Sequence, residues 1–397
     1  MKQAILDLFY IFREELRAIF SDSTIIVLFF VGTLLYPLLY SWIYNNEVLH
    51  DSPIAVVDNN NSSTSREYLR QLDATPELQL AYYCTNMEEA RKLVEERKAH
   101  GIVYIPATFT NDIKLGRQTT VSVYADMSSF LYYKGILAAT SYVSQAEGGA
   151  IQVKQLMAKG ESIEQAMATV NPIPATFTPL FNPGGGYASF LIPAVLVLVI
   201  HQTLLLGICI LAGISRERNK LKLLVPFSKR YHGTIRIVGG KALAYLSVYI
   251  VLIFYVLFLV PRWFGLPHMG NLLHLYLFLL PFLFATIFLG MTISVFFRDR
   301  ETPILMLLFL SVPLLFLSGV AWPLEDMPAF WQLLANLLPS THGVQGFIKI
   351  STMGADLYQV RYEYFALCVQ LAVYLTTCYW MYRRRIRQTE RHLLQQA

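Results

Sequence analysis

Charge is scarce in this chain. Asp, Glu, Lys and Arg make up 15% of its 397 residues, against 55% hydrophobic ones, a balance far from that of an ordinary water-soluble domain. Cysteine is scarcer still: Cys84, Cys209, Cys368 and Cys378 are scattered, with no CxxC pair. Only Cys84 falls in the polar stretch 45–187, so no disulfide closes within it. A phosphate loop is also missing. Gly239-Gly240-Lys241 has its ending, but Ile235 stands where the first glycine belongs and Ala242 replaces the Ser or Thr. Gly184-Gly185-Gly186 lacks a following lysine and reads as a hinge. No basic tract interleaved with stacking aromatics points to nucleic acid, and the net charge of +5 is modest. No nucleophilic triad emerges: Asp58, Asp126 and Glu147 have no evident partner and read as solvated carboxylates. His268 and His274 lack a metal-binding spacing and read as residues of the outer interface.

What the chain does have is long apolar runs. The first, 25–44, is about 20 residues, enough to cross a hydrocarbon core of roughly 30 Å. It is too long for the core of a signal peptide, its leader is long and mixed in charge, and Tyr36-Pro37 and Trp42 stand in place of a small-residue cleavage site. It therefore reads as a retained anchor. Five more spans are expected at 188–214, 238–261, 272–297, 304–320 and 364–382. Between 321 and 363 the apolar stretch 330–338 is too short to span. Lys and Arg gather in the loop 215–237, at Arg298 and Arg300, and in the tail from Arg383 to Arg391. The loops that alternate with these carry few, such as Arg262, or Lys349 and Arg361. By the positive-inside rule both termini are cytoplasmic and the polar stretch is outside. The 24 Tyr and 25 Phe suit a protein whose aromatics collect at the membrane interface.

The polar stretch alternates strand and helix. Strands are expected at 52–58, 78–84, 101–105 and 121–125, and helices at 62–72 and 87–99. From 128 to 170 the pattern is helical, broken at Gly148-Gly149 and at Lys159-Gly160. Such alternation indicates a small α/β domain. The expected fold is thus a polytopic α-helical membrane protein of six transmembrane helices with an inserted extracytoplasmic α/β domain. Its parts are an interfacial helix 1–22, a first span 23–44, the outer domain 45–187, a bundle 188–382 and a basic tail 383–397. Within the bundle lie the basic loop 215–237 and a proline-rich re-entrant segment 321–345.

Several residues stand out for chemistry. In the basic loop, charges alternate with Leu221, Leu223, Leu224, Val225 and Phe227, so a short amphipathic helix there fits a lipid surface or a partner's groove. Plain positive-inside topology would need the charge but not the apolar teeth. In 1–20, Ile5, Leu8, Phe9, Phe12, Leu16 and Phe20 recur at helical spacing opposite Asp7, Glu14 and Arg17. His201 lies within a span, where an ionisable group faces either a transport path or a neighbouring helix. Pro37, Pro281 and Pro313 lie inside spans as hinge candidates, although proline is common in membrane helices.

Three stretches carry a resemblance. Arg216-Glu217-Arg218 is followed by Leu223-Leu224-Val225-Pro226, then Ser228-Lys229 and Gly240-Lys241 at the next span. Leu317-Ser-Gly-Val-Ala-Trp-Pro323 precedes Glu325-Asp-Met-Pro328 and Leu337-Leu-Pro-Ser-Thr-His-Gly343. Ile54-Ala-Val-Val-Asp58 precedes Ser65-Arg66. In this order on six spans they resemble the permease subunits of type-2 ABC (ABC-2) exporters with a large outer domain, and the likeness covers nearly the whole chain. The resemblance implies a multi-pass protein of the bacterial inner membrane that moves an amphipathic, drug-like or lipid-like substrate outward. Its partners would be cytoplasmic ABC ATPase subunits, a second permease subunit, identical or not, and a periplasmic adaptor protein. ATP and Mg would be used by the ATPase, with no cofactor or metal in this chain. Arg216, Glu217, Arg218, Leu223, Leu224 and Pro226 would couple to the ATPase. Phe190, His201, Phe309 and Phe316 would line the substrate path, and Gly319, Pro323, Pro328 and Pro339 the outer gate. The competing reading is a ligand-sensing or phage-adsorption protein whose helices only anchor the outer domain, which would need neither six spans nor a toothed loop. An intramembrane enzyme would need paired ionisable residues inside the spans, and His201 is nearly alone there.

Overall fold

A computed structural model describes residues 2–176, 178–218 and 233–396. Leu223, Leu224 and Pro226, with the other apolar teeth of the basic loop, lie outside the described residues. The chain divides into two compact units, one of Met1–Glu47 with Pro179–Ala397 and one of Val48–Thr178.

The first unit is helical. Helix α1, Lys2–Ser21, ends at Asp22, whose carboxylate accepts from the Thr24 amide at 3.1 Å and starts α2, Ser23–Ile43. A π-helical stretch at Val27–Gly32 interrupts α2. Then come α8, Tyr187–Glu217, α9, Gly233–Trp263, and α10, Leu272–Ser294; α3–α7 belong to the second unit. They are followed by α11, Thr302–Leu317, α12, Ala329–Leu337, α13, Pro339–Ser351, and α14, Arg361–Gln396. Among the described residues, five helices are long and apolar enough to cross a membrane: α2, α8, α9, α10 and the Arg361–Arg391 part of α14. The expected sixth, α11, has 16 residues. That is about 24 Å at 1.5 Å per residue, short of a typical hydrocarbon core. Helix α14 runs on through the basic tail, because Arg and Gln are good helix formers and no Gly or Pro stops it.

Helix α8 is the central rod of this unit, with α2, α10, α11 and α13 packed on it. Close approach is bought with small residues, as is usual where lipid removes the hydrophobic drive between helices. A Cβ on Gly207 of α8 would stand 1.7 Å from the Phe29 ring of α2. Gly343 and Gly346 of α13 likewise seat the rings of Phe282 and Phe278 on α10. This makes α13 a buried helix although its sequence, Pro339-Ser-Thr-His-Gly343, is not strongly apolar.

The second unit is a four-stranded sheet of order β2-β1-β3-β4, comprising β1, Ser52–Asp58, β2, Leu78–Tyr83, β3, Gly101–Ile105, and β4, Ser122–Ala125. Strand β1 pairs in parallel with β2 and β3, and β4 is antiparallel to β3. The helices are α3, Ser63–Asp73, α4, Met87–Glu95, α5, Phe109–Lys114, α6, Phe130–Ala158, and α7, Ile163–Val170. Helix α4 stops four residues before the expected end at 99, and α5 is an addition to the expected elements. The larger difference is at Gly148-Gly149, where α6 continues unbroken. Two glycines weaken a helix without ending it when the turns on both sides are held. Asp58 and Asp126 also prove to be partnered. Asp58 accepts from the amides of Asn60 and Asn61 and from the Ser65 hydroxyl at 2.7 Å. Asp126 accepts from the amide and hydroxyl of Ser128. Short side chains that fold back on the next residues organise turns in this way.

Candidate functional site

The end of α8 and the turn before α11 carry a set of polar contacts. Arg216, Glu217 and Arg218 form the end of α8. Glu217 Oε1 accepts from the backbone N–H of Arg300 at 3.0 Å, and Arg218 lies 3.8 Å from Asp22 at the start of α2. Arg216 is half-buried, and its Nη1 has no partner among the described residues. Gly213 lets α8 touch the 299–300 turn, since a Cβ there would stand 2.2 Å from the Asp299 carbonyl oxygen. That turn is set by Asp299, whose carboxylate accepts from the Thr302 amide and hydroxyl, each at 2.8 Å, and from the Glu301 amide. These hydrogen bonds hold its carboxyl below the usual range. Glu217 therefore joins the exit of α8 to the entrance of α11.

Helix α1 is held to α9 by charge. Asp7 pairs with Arg236 at 3.0 Å. Glu15 accepts from Lys241 Nζ and from the Tyr245 hydroxyl, both at 2.5 Å. The side chains of Glu15 and Lys241 are 9% and 13% exposed, so the pair is dry. Gly240 allows the approach: a Cβ there would meet Leu8 O and Ile11 at 2.9 Å. The buried stripe of α1 is thus Asp7, Ile11, Glu15 and Ile19, while Ile5, Phe9 and Phe20 face outward and Glu14 and Arg17 pair with each other at 2.6 Å. Sequence reasoning counted Arg236 among the charges of the basic loop, met Lys241 only as the end of a false phosphate loop and in the Gly-Lys pair, and passed over Glu15. The four-residue spacing of Asp7, Ile11, Glu15 and Ile19 was the available signal.

Inside the bundle, His201 is buried beside Phe282, ring centroids 6.3 Å apart, and neither ring nitrogen has a partner among the described residues. One residue pair further on, the Tyr249 hydroxyl donates to Thr203 at 3.0 Å and Thr33 to Thr203 at 3.1 Å, a polar chain across α9, α8 and α2. Phe190, Phe309 and Phe316 are exposed on α8 and α11; the structure does not bring them together with His201. Of the residues assigned to a gate, Gly319 has φ +79° and Gln345 Nε2 and Leu324 Cγ both 2.7 Å from where a Cβ would be, so glycine is required there. Gly319 and Pro323 line a polar cleft, Pro328 precedes α12, and Pro339 opens α13. Among the described residues no group of three or more His, Cys, Asp or Glu is placed to hold a metal ion.

A sequence profile for ABC-2 family transporter proteins matches residues 23–380. The chain is 29% identical over 199 residues to ABC transporter G family member 20 of Dictyostelium discoideum, which is 49% of this chain but only 26% of that relative. It is 22% identical over 385 residues to the probable multidrug ABC transporter permease YbhR of Escherichia coli K12, covering 96% of this chain and 99% of the relative. The YbhR of strain O157:H7 matches to the same extent.

Proposed function

The chain belongs to the ABC-2 family of transporter proteins, and from that premise we propose that it is the permease subunit of an ATP-driven exporter moving an amphipathic, drug-like or lipid-like substrate outward. In this reading the short helix α11 is a sixth crossing, met by local thinning of the bilayer. Both termini are cytoplasmic, the membrane is the bacterial inner membrane, and the Val48–Thr178 unit is extracytoplasmic, where a periplasmic adaptor would find its surface. Two permease subunits bind two cytoplasmic ATPase subunits, which use the ATP and Mg. The loop 215–237 is the contact with the ATPase, through Arg216, Glu217, Arg218, Leu223, Leu224 and Pro226. A path shared between two subunits needs apolar side chains that one subunit leaves uncovered. Phe190, Phe309 and Phe316, 53%, 77% and 52% exposed, meet that need. His201 is a buried polar group on the same helix as Phe190, and Gly319, Pro323, Pro328 and Pro339 form the outer gate.

The observation that carries this reading is the hydrogen bond from the Arg300 amide to Glu217. It makes one body of two inner turns, so a push received at the end of α8 also moves the start of α11. Outward direction and drug-like cargo draw on the likeness to a relative named a probable multidrug permease.

The test is purification of the tagged full chain from its native cell in mild detergent. An ATPase subunit with a phosphate loop should accompany it in a one-to-one ratio. Glu217→Arg should lower ATP hydrolysis by that complex at least fivefold while membrane insertion is unchanged. An intact chain that brings no ATPase, or a Glu217→Arg complex that hydrolyses ATP as before, overturns the proposal.

A further inference from the structure

Where α11 ends and α14 begins, a cleft of about 790 Å³ opens between the turn after Gly319, α12, α13 and the first turn of α14. Its lining is unlike the rest of this apolar unit. Glu325, Glu363, Lys349 and Arg361 all face it, two charges of each sign. Glu363 is the most confined of them. Its side chain is 8% exposed, and Oε1 accepts from Lys349 Nζ at 2.5 Å. Its other oxygen, Oε2, is buried and has no hydrogen-bond partner among the described residues. Two turns along the same face of α14, Gln370 is also buried, and its Oε1 has no partner among the described residues. A carboxylate has room for about four hydrogen bonds, and leaving a buried acceptor empty is costly. The cleft floor therefore calls for an N–H or O–H donor.

The rim asks for the opposite. Lys349 keeps 41% of its side chain exposed. Arg361 is exposed, with its guanidinium carbon 4.5 Å from the centre of the Tyr358 ring, which fixes the plane while leaving the N–H edge open. A simple anion would meet Glu325 and Glu363, and a simple cation would meet Lys349 and Arg361. A divalent ion needs six or more oxygens, and the Lys349 ammonium already sits on the one buried carboxylate. A molecule carrying both charges fits both demands. Its ammonium faces the Glu363 carboxylate, and its phosphate takes the N–H groups of Lys349 and Arg361. The ammonium must carry N–H, as a primary one does with three and a quaternary one does not at all. Tyr358 and Tyr362 line the cleft and stand exposed, a residue type that settles at headgroup depth.

We propose that this cleft is a binding site for a phosphoethanolamine zwitterion, presented as a lipid headgroup or as the free small molecule. The inference rests on the membrane-spanning reading above but not on ATP-driven export.

The test uses the full chain with whatever subunits accompany it, examined by native mass spectrometry. Phosphatidylethanolamine, phosphatidylcholine and phosphatidylglycerol of identical acyl chains are offered in turn, with soluble O-phosphoethanolamine as competitor. Phosphatidylethanolamine should bind at least tenfold tighter than either other lipid. Glu363→Gln should remove that preference, and Arg361→Gln, a change at an exposed position that spares the fold, should weaken phosphatidylethanolamine at least fivefold. Displacement by O-phosphoethanolamine identifies the free zwitterion as sufficient, whereas binding that resists it identifies the lipid. Equal binding of the three lipids by the wild-type chain, or a preference that survives both substitutions, overturns the site. A chain that keeps the preference yet brings no ATPase sinks the export reading and leaves this one standing.

Discussion

Glu15 and Lys241 illustrate how much a single pair decides here. Each is nearly closed off from water, and removing one partner of such a pair strands the other charge at a cost of about 3 kcal/mol or more. Glu15→Gln keeps an oxygen for the Tyr245 hydroxyl but leaves the Lys241 ammonium without its counter-charge. The full chain should therefore melt several degrees lower in detergent. Glu15→Gln combined with Lys241→Met removes both charges and should recover most of that loss, because desolvating the pair offsets much of its attraction. Thermal denaturation of the three proteins checks this; a double variant no more stable than the single one would show that the pair does not hold α1 to α9. The hydropathy pattern revealed α1 as amphipathic but not which of its faces turns inward. Apolar residues that would be buried in a soluble protein are exposed here, where lipid can receive them, and the acids are buried because α9 supplies cations.

Among the elements, β1 and β3 were legible end to end, since a short β-branched run closed by turn residues has few other solutions. Helix α13 was not. Its burial comes from Gly343 and Gly346 fitting rings on α10, a matter of shape that no hydropathy window records. The site residues followed the same rule: the end of α8 could be marked from its charges, whereas its bond to the Arg300 amide depends on a turn that only folding creates. Gly148 and Gly149 mark the reverse error, a local signal overridden by its neighbours. Nothing lies within 4 Å of a Cβ on Gly148, and on Gly149 it would make ordinary contact with Val170 at 3.7 Å. Both therefore have room for alanine, which should stabilise α6 by about 0.5–1 kcal/mol per site. Hydrogen exchange of the full chain carrying both changes should slow across 144–154. Faster exchange there would mean that the native chain bends at the glycines after all.

At the scale of the whole molecule, the chain leaves the first unit after Glu47 and returns to it at Pro179, and the two edges of that gap are fastened within the unit. The Glu47 carbonyl accepts from the Tyr187 amide at 2.7 Å, and its carboxylate accepts from the Ser189 amide at 3.0 Å and hydroxyl at 2.7 Å. A carboxylate at the first turn of α8 satisfies an otherwise orphaned N–H and meets the positive end of the helix dipole. The first unit thus closes on itself without using the second. Replacing 48–178 by a short Gly-Ser link should leave insertion and the yield of co-purified ATPase unchanged. If the Val48–Thr178 unit hands substrate onward in the proposed export, ethidium efflux by intact cells should fall severalfold at the same time. Adding Glu47→Ala to the shortened chain should then matter far more than in the full one, because the link alone cannot hold α2 beside α8; size-exclusion chromatography would show it as lost monodispersity. A shortened chain that already aggregates with Glu47 present would refute the self-closure of the first unit, and undiminished efflux would show the outer unit to be dispensable for transport.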